Sequence, residues 1–297
     1  MVVTVKERCE RRPAGRARPP LGLFFLVTVA FLWLIVGVTR VPAADAWERW
    51  TRFEETSTVA IDHSEWQALL ATYLVPGTDG GPNRIDYARF AGSEEDRDRL
   101  ELYITALEAT DVESLNRNEQ FAFWANLYNA ATVRVVLDHY PVSSIRKINI
   151  SPGLFSTGPW GAKLVSVGGE RLTLDDIEHR ILRPIWKDPR VHYAVNCASV
   201  GCPNLPVKPF TGKTLEADLE AAARAYINSP RGARMERGGL RVSRIYDWYA
   251  EDFGDSEANV IAHLKVYAEG ELADALETVT RIRGYDYDWS LNDTSGT

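Results

Sequence analysis

The segment from His192 to Pro203, HYAVNCASVGCP, gathers an imidazole, two thiols, a hydroxyl and an amide within twelve residues. Read as a strand, it places His192, Ala194 and Asn196 on one face and Tyr193 and Val195 on the other. Cys197 then falls where the strand breaks into a turn of small residues. Three chemistries fit. Cys197 could act as a thiolate nucleophile with His192 as its base and Asp247 or Glu178 orienting the imidazole, the pattern of a cysteine-dependent hydrolase or acyltransferase. Cys197 and Cys202 could instead be joined in a disulfide, as is common in exported domains, and a loop this short can close within the required Cα separation of about 4.4 to 6.8 Å. A permanent bond would remove the nucleophile. A metal held by His192, Cys197 and Cys202 is the least favoured, because no second cysteine pair exists and only His63, His139, His179 and His263 remain as further histidines. No metal and no cofactor is expected.

A second cluster, SRIYDWYAEDFG from Ser243 to Gly254, sets Asp247 between Tyr246 and Trp248 and Asp252 before Phe253. A carboxylate among aromatics suits the orienting of an imidazole or a raised pKa, although capping a helix is its commoner use. Glu178, beside His179, is a third acid of this kind. In NEQFAFWANLYNAATVRVVLDH, Asn126 and Asn129 interrupt an apolar text. A buried amide without partners costs about 1 to 3 kcal/mol, so each must bond something specific. The plainer expectation is that they tie a neighbouring loop's backbone to the helix. With Asn196, Trp124 and Trp248 they complete the candidate binding residues.

These side chains need a scaffold. The 118–139 text repeats apolar residues at three and four positions, which predicts a helix with one broad buried stripe. Helices are also expected over 64–74, 94–109, 176–182 (capped by Asp175), 216–227 and 259–268, with short strands at 84–87, 164–167, 172–174 and 240–242. Gly- and Pro-rich 151–163 reads as a structured loop over a site. The fold class is therefore α+β, mostly helical with a small antiparallel sheet.

Residues 1–20 carry six basic and two acidic side chains, and positions 41–297 carry a net charge of -12. An acidic body without a basic run argues against nucleic acid as a partner. Leu21 to Val38 is free of charges, and as a helix it would be about 27 Å long, near the thickness of a bilayer core. The basic residues before it favour a cytoplasmic start and an exported remainder. Ala44-Asp45-Ala46 offers a signal-cleavage site, so an anchor and a cleaved signal both fit, the length favouring the anchor. The expected organisation is a basic cytoplasmic tail over 1–20, a transmembrane anchor or signal segment over 21–38 and a connector over 39–60. A single globular domain over 61–285 and a flexible tail over 286–297 complete it. Localisation is then extracytoplasmic (periplasmic), membrane-anchored or secreted, with the membrane as one partner and an envelope ligand or protein as another.

The ordered texts NEQFAFWANLYNA, TLDDIEHRILR, HYAVNCASVGCPNLP with PFT, and SRIYDWYAEDFG resemble the bacterial and plant family called domain of unknown function 547, from about Ile85 to Gly254. The positions that match its motifs are Trp124, Asn126, Tyr128, Asn129, Glu178, His192, Asn196, Cys197, Ser199, Cys202, Pro203, Trp248 and Asp252. Gly201 departs from the serine expected there. The resemblance implies a fold and recurrent residues but no reaction. The family is in turn similar in layout to the papain and transglutaminase group, in which a nucleophilic cysteine opens a central helix. The 118–139 helix has none, so by that analogy the nucleophile is lost or has moved to Cys197. The opposed reading is a noncatalytic binding or scaffold module with a Cys197–Cys202 disulfide.

Overall fold

The structure, a computed structural model, describes residue 41, residues 45–153 and residues 156–296. The expected anchor over 21–38, the basic tail and Cys9 lie outside the described residues. Among the described residues no helix is long and apolar enough to cross a membrane.

Helices α1 (Ser64–Tyr73), α2 (Tyr87–Ala91) and α3 (Glu94–Glu108) lead into α4 (Arg117–Leu137). Asn116 starts α4 by accepting the Glu119 N–H at 3.0 Å, which satisfies one of the free donors of its first turn. Burial takes in 18 of the 21 residues of α4, so the expected stripe is in fact a helix enclosed on all sides. Trp66, Tyr87, Phe121, Phe123 and Trp124 pack in the cluster around it.

Downstream come α5 (Asp176–Leu182), wound as a π-helix, α6 (Arg183–Trp186), α7 (Val191–Ala194) and α8 (Leu215–Ile227). They are followed by α9 (Ile245–Trp248), α10 (Glu257–Tyr267) and α11 (Gly270–Leu276). The sheets are small. Strands β1 (Leu74–Val75) and β2 (Arg84–Ile85) pair antiparallel, as do β3 (Val165–Val167) and β4 (Glu170–Leu172). In the third sheet β5 (Ala233–Glu236) lies antiparallel to β6 (Gly239–Ser243), and β6 lies parallel to β7 (Ile282–Asp286). A second apolar cluster, with Tyr193, Tyr226, Tyr246, Phe253 and Leu264, sits beneath this sheet and α10. The chain is thus α+β and mainly helical, as its patterning predicts.

Four expectations need correction. The 191–196 text is one helical turn and not a strand. Asp188 accepts the Arg190 N–H at 2.8 Å and Pro189 stands just before the Arg190 cap, a local turn that outweighs the apolar alternation of VHYAV. Asp175 does not cap α5: Thr173 Oγ1 accepts the Asp176 N–H at 2.9 Å and Asp176 accepts the Thr173 N–H at 3.0 Å. The connector belongs to the domain, since Trp50 is 2% exposed and meets Trp124 edge-on at 5.1 Å. The end of the chain is packed. Leu291, Asn292 and Asp293 are buried, and the Ile85 N–H reaches Asn292 O at 2.9 Å while the Asn292 N–H reaches Ala198 O at 3.1 Å.

Candidate functional site

His192 lies between two carboxylates. Its Nε2 is 2.6 Å from Asp252 Oδ2 and its Nδ1 3.6 Å from Glu178 Oε1, while the ring stacks on Tyr249 at 4.2 Å. Arg183 donates from Nε to the same Asp252 oxygen at 2.5 Å and from Nη1 to His179 Nδ1 at 3.1 Å. Tyr128, on α4, donates to Glu178 Oε2 at 3.2 Å. Burial works against the charge on Glu178, but His179, His192 and Arg183 hold its carboxyl at about 2. Burial likewise opposes the charge on Asp252, and the bonds from His192 and Arg183 hold it at about 2. For His179 burial prevails and lowers the imidazole, in keeping with a ring nitrogen that accepts from Arg183.

The carboxylate at His192 Nε2 is therefore Asp252, with Glu178 on the Nδ1 side. Asp247, expected to orient the imidazole, pairs with Arg244 at 3.8 Å instead. It lies within the short helix α9, whereas Asp252 lies past that helix, where it meets Arg183 of α6 and His192. Both ring nitrogens of His192, expected as the base of Cys197, face carboxylates.

The thiol of Cys197 has a separate set of partners. Its Sγ lies 3.1 Å from Ser199 Oγ, 3.0 Å from Tyr287 Oη and 3.1 Å from Cys202 Sγ. Both cysteines are free thiols, Cys197 half-buried and Cys202 buried, so the alternative disulfide is not formed here. Burial by itself would raise the Cys197 thiol, but the bonds from Cys202, Ser199 and Tyr287 bring it below the ordinary value, and Glu178 opposes them. Cys202 is pushed up by burial and by its neighbour Cys197. The Ser199 and Tyr287 hydroxyls can each act as donor or acceptor at this sulfur, and donation to a Cys197 thiolate would favour it in the way that lowers the pKa of reactive cysteines.

Local backbone geometry presents this thiol. Ala198 adopts φ +55°, a conformation that costs a residue with a Cβ on the order of 1 to 3 kcal/mol. Ala198 N–H donates to Asn196 Oδ1 at 2.9 Å and Ala198 O accepts from Asn292, which holds the strained residue in place. Gly201 lies against the chain end, where an added Cβ would stand 2.6 Å from Asp288 N. That approach accounts for glycine at the position where the family pattern suggests serine.

Each amide bonds the backbone of a neighbouring loop. Asn126 bonds the N–H of Phe210 at 3.1 Å and its carbonyl at 2.8 Å, Asn129 bonds Ala194 O at 2.9 Å and Asn196 N–H at 2.8 Å, and Asn196 Nδ2 bonds Pro203 O at 2.6 Å. All three hold the loops that frame the site. Trp124 is fully buried in the core. Trp248 alone of the candidate binding residues is half-exposed beside the thiol, 4.8 Å from Tyr287 and 5.5 Å from Trp289. Sequence reasoning missed Tyr287, placed in an expected flexible tail, and Arg183. It also missed Glu119, whose carboxylate bonds the N–H groups of Ile61 at 2.8 Å and Gly212 at 2.7 Å. Asn116 with Glu119 three residues on has the form of a capping box, the one signal that marked Glu119. Among the described residues no group of three or more His, Cys, Asp or Glu side chains is arranged to hold a metal ion.

Residues 112–227 match the profile of a family described as protein of unknown function, DUF547. The match holds Tyr128, Glu178, His192, Cys197 and Cys202, and leaves Trp248, Asp252 and Tyr287 beyond its end. No curated protein and no solved structure matches the chain.

Proposed function

Starting from a chain whose residues 112–227 carry the DUF547 profile, we propose that the domain is a cysteine-dependent acyltransferase or hydrolase of the cell envelope, with Cys197 as its nucleophile. One observation carries the reading: a part-buried cysteine whose sulfur has the Ser199 hydroxyl, the Tyr287 hydroxyl and the Cys202 thiol within 3.1 Å. A thiolate held by donors needs no imidazole to ionise it, so the chemistry does not require His192 to face Cys197. The thiolate attacks the carbonyl carbon of an ester, thioester or amide. The leaving group departs with a proton from Tyr287 or from water, and the S-acyl bond is then cleaved by water or by an acceptor nucleophile, which restores both groups. Trp248, Tyr287 and Trp289 offer the aromatic wall for the substrate. The test is incubation with p-nitrophenyl acetate and peptide mapping. An acetyl group on Cys197, and loss of turnover in Cys197→Ala, are expected; unchanged turnover in Cys197→Ala would refute the reading.

The envelope location rests on the uncharged stretch 21–38 after a basic tail. Its check is an alkaline wash of membranes from expressing cells, in which an anchored chain stays in the pellet and a cleaved or cytoplasmic one is released. A second reading, a noncatalytic envelope binding module, is favoured by one observation, that neither ring nitrogen of His192 faces Cys197. That module would take up no acetyl group at Cys197.

A further inference from the structure

The two sulfurs differ in access and share one short loop. Cys197 is half-buried, Cys202 is 5% exposed, and they stand 3.1 Å apart. A disulfide bond is about 2.05 Å long, so a movement of about 1 Å would join them. The backbone around Cys202 is braced: Arg231 donates to Cys202 O at 2.5 Å and to Val200 O at 3.3 Å, and the Cys197 N–H already points at Cys202 Sγ at 3.0 Å. We infer that Cys197 and Cys202 act as an attacking and resolving pair in thiol–disulfide exchange with a low-molecular-weight disulfide.

Size follows from access, since Cys197 lies behind Tyr287 and the half-exposed rings of Trp248 and Trp289. In the first step the Cys197 thiolate attacks one sulfur of the small disulfide. A bond forms between Cys197 and that sulfur, the original bond breaks, and the released thiolate takes a proton from water. Cys202 then gives its proton to water and its sulfur attacks Cys197, releasing the second small thiol. The protein loses two thiols and gains one disulfide, and the small disulfide is reduced to two thiols. The opposite shifts of the two cysteines, one thiol lowered and the other raised, match these unequal roles. The inference shares Cys197 with the acyl-transfer reading but not its chemistry, and an internal disulfide would switch that activity off.

The experiment takes the full chain in a Cys9→Ser background, reduced and desalted, and treats it with oxidised glutathione while intact mass is followed. The otherwise unchanged protein is expected to lose two hydrogens and accumulate no adduct. Cys202→Ser and Cys202→Ala should keep one glutathione on Cys197 at least tenfold longer, and Cys197→Ser should form neither product. Circular dichroism confirms that each variant is folded, and the unsubstituted pair decides the matter if one is not. A lasting glutathione adduct on the protein with both cysteines, or no reaction at Cys197, would overturn the inference. Acetylation without exchange removes this proposal alone, and exchange without acetylation removes the acyl-transfer reading alone.

Discussion

At the scale of single residues, the account rests on donors that surround one sulfur. Tyr287→Phe removes one of the three while keeping the ring beside Trp248. The Cys197 thiol should then titrate higher, so its alkylation rate at pH 7 should drop up to about tenfold. A pH series of iodoacetamide rates measures it, and an unchanged profile would show that Tyr287 does not stabilise the thiolate. Ala198 gives a second test, because its φ of +55° suits glycine better than alanine. Ala198→Gly should leave the urea midpoint unchanged or raise stability by up to about 1 kcal/mol, where an exposed mid-helix replacement of the same kind costs about 1 kcal/mol.

At the scale of elements, α5, α6, α7 and the turn after α9 meet through Glu178, Arg183, His192 and Asp252. Removing one member of such a buried network leaves the others unpaired, at a typical cost of about 3 to 5 kcal/mol. Arg183→Met should destabilise by that order in urea unfolding. The sign of the pH dependence follows from the two carboxyls, each held at about 2 in the fold and near 4 when unfolded. Their stabilisation is present above about pH 4 and is lost as pH falls from there towards 2. In Arg183→Met, which raises the folded carboxyls towards their unfolded values, the loss over this range should be smaller. A midpoint that is flat through this range in the unsubstituted protein would count against the network. Helices α3, α4, α8 and α10 were legible because their apolar spacing is helical over two turns or more. Helix α7 was not: with four residues it shows no period, and only Asp188-Pro189 announced it. Cys197, Glu178 and Trp248 stood out by residue type and neighbourhood. Asp252 and Asp247 were indistinguishable by type, and only the direction of α9 decides which one reaches His192.

At the scale of the whole molecule, the chain end closes the site. Residues 287–293 bring Tyr287 to Cys197, bond Val200, Gly201 and Ala198, and pair with Ile85 beside the α1–α2 turn. Such single bridges leave no alternation in the text DWSLNDTSGT, and for that reason its sequence reads as a free tail. Truncation after Tyr287 should expose the surfaces under Leu291 and Asn292, lower the urea midpoint and loosen the Cys197 turn; an unchanged midpoint would mean that the segment docks without stabilising. All of this converges on whether the assembled fold delivers a thiolate at Cys197. The most direct measurement is the pH dependence of Cys197 alkylation in the reduced full chain, followed peptide by peptide by mass spectrometry with Cys202 as internal comparison. The account predicts that Cys197 reacts first, with an apparent pKa below the value of about 8.5 for a free cysteine, and that Cys202 reacts only on unfolding. A Cys197 pKa at or above that value, or equal rates at the two cysteines, would contradict it.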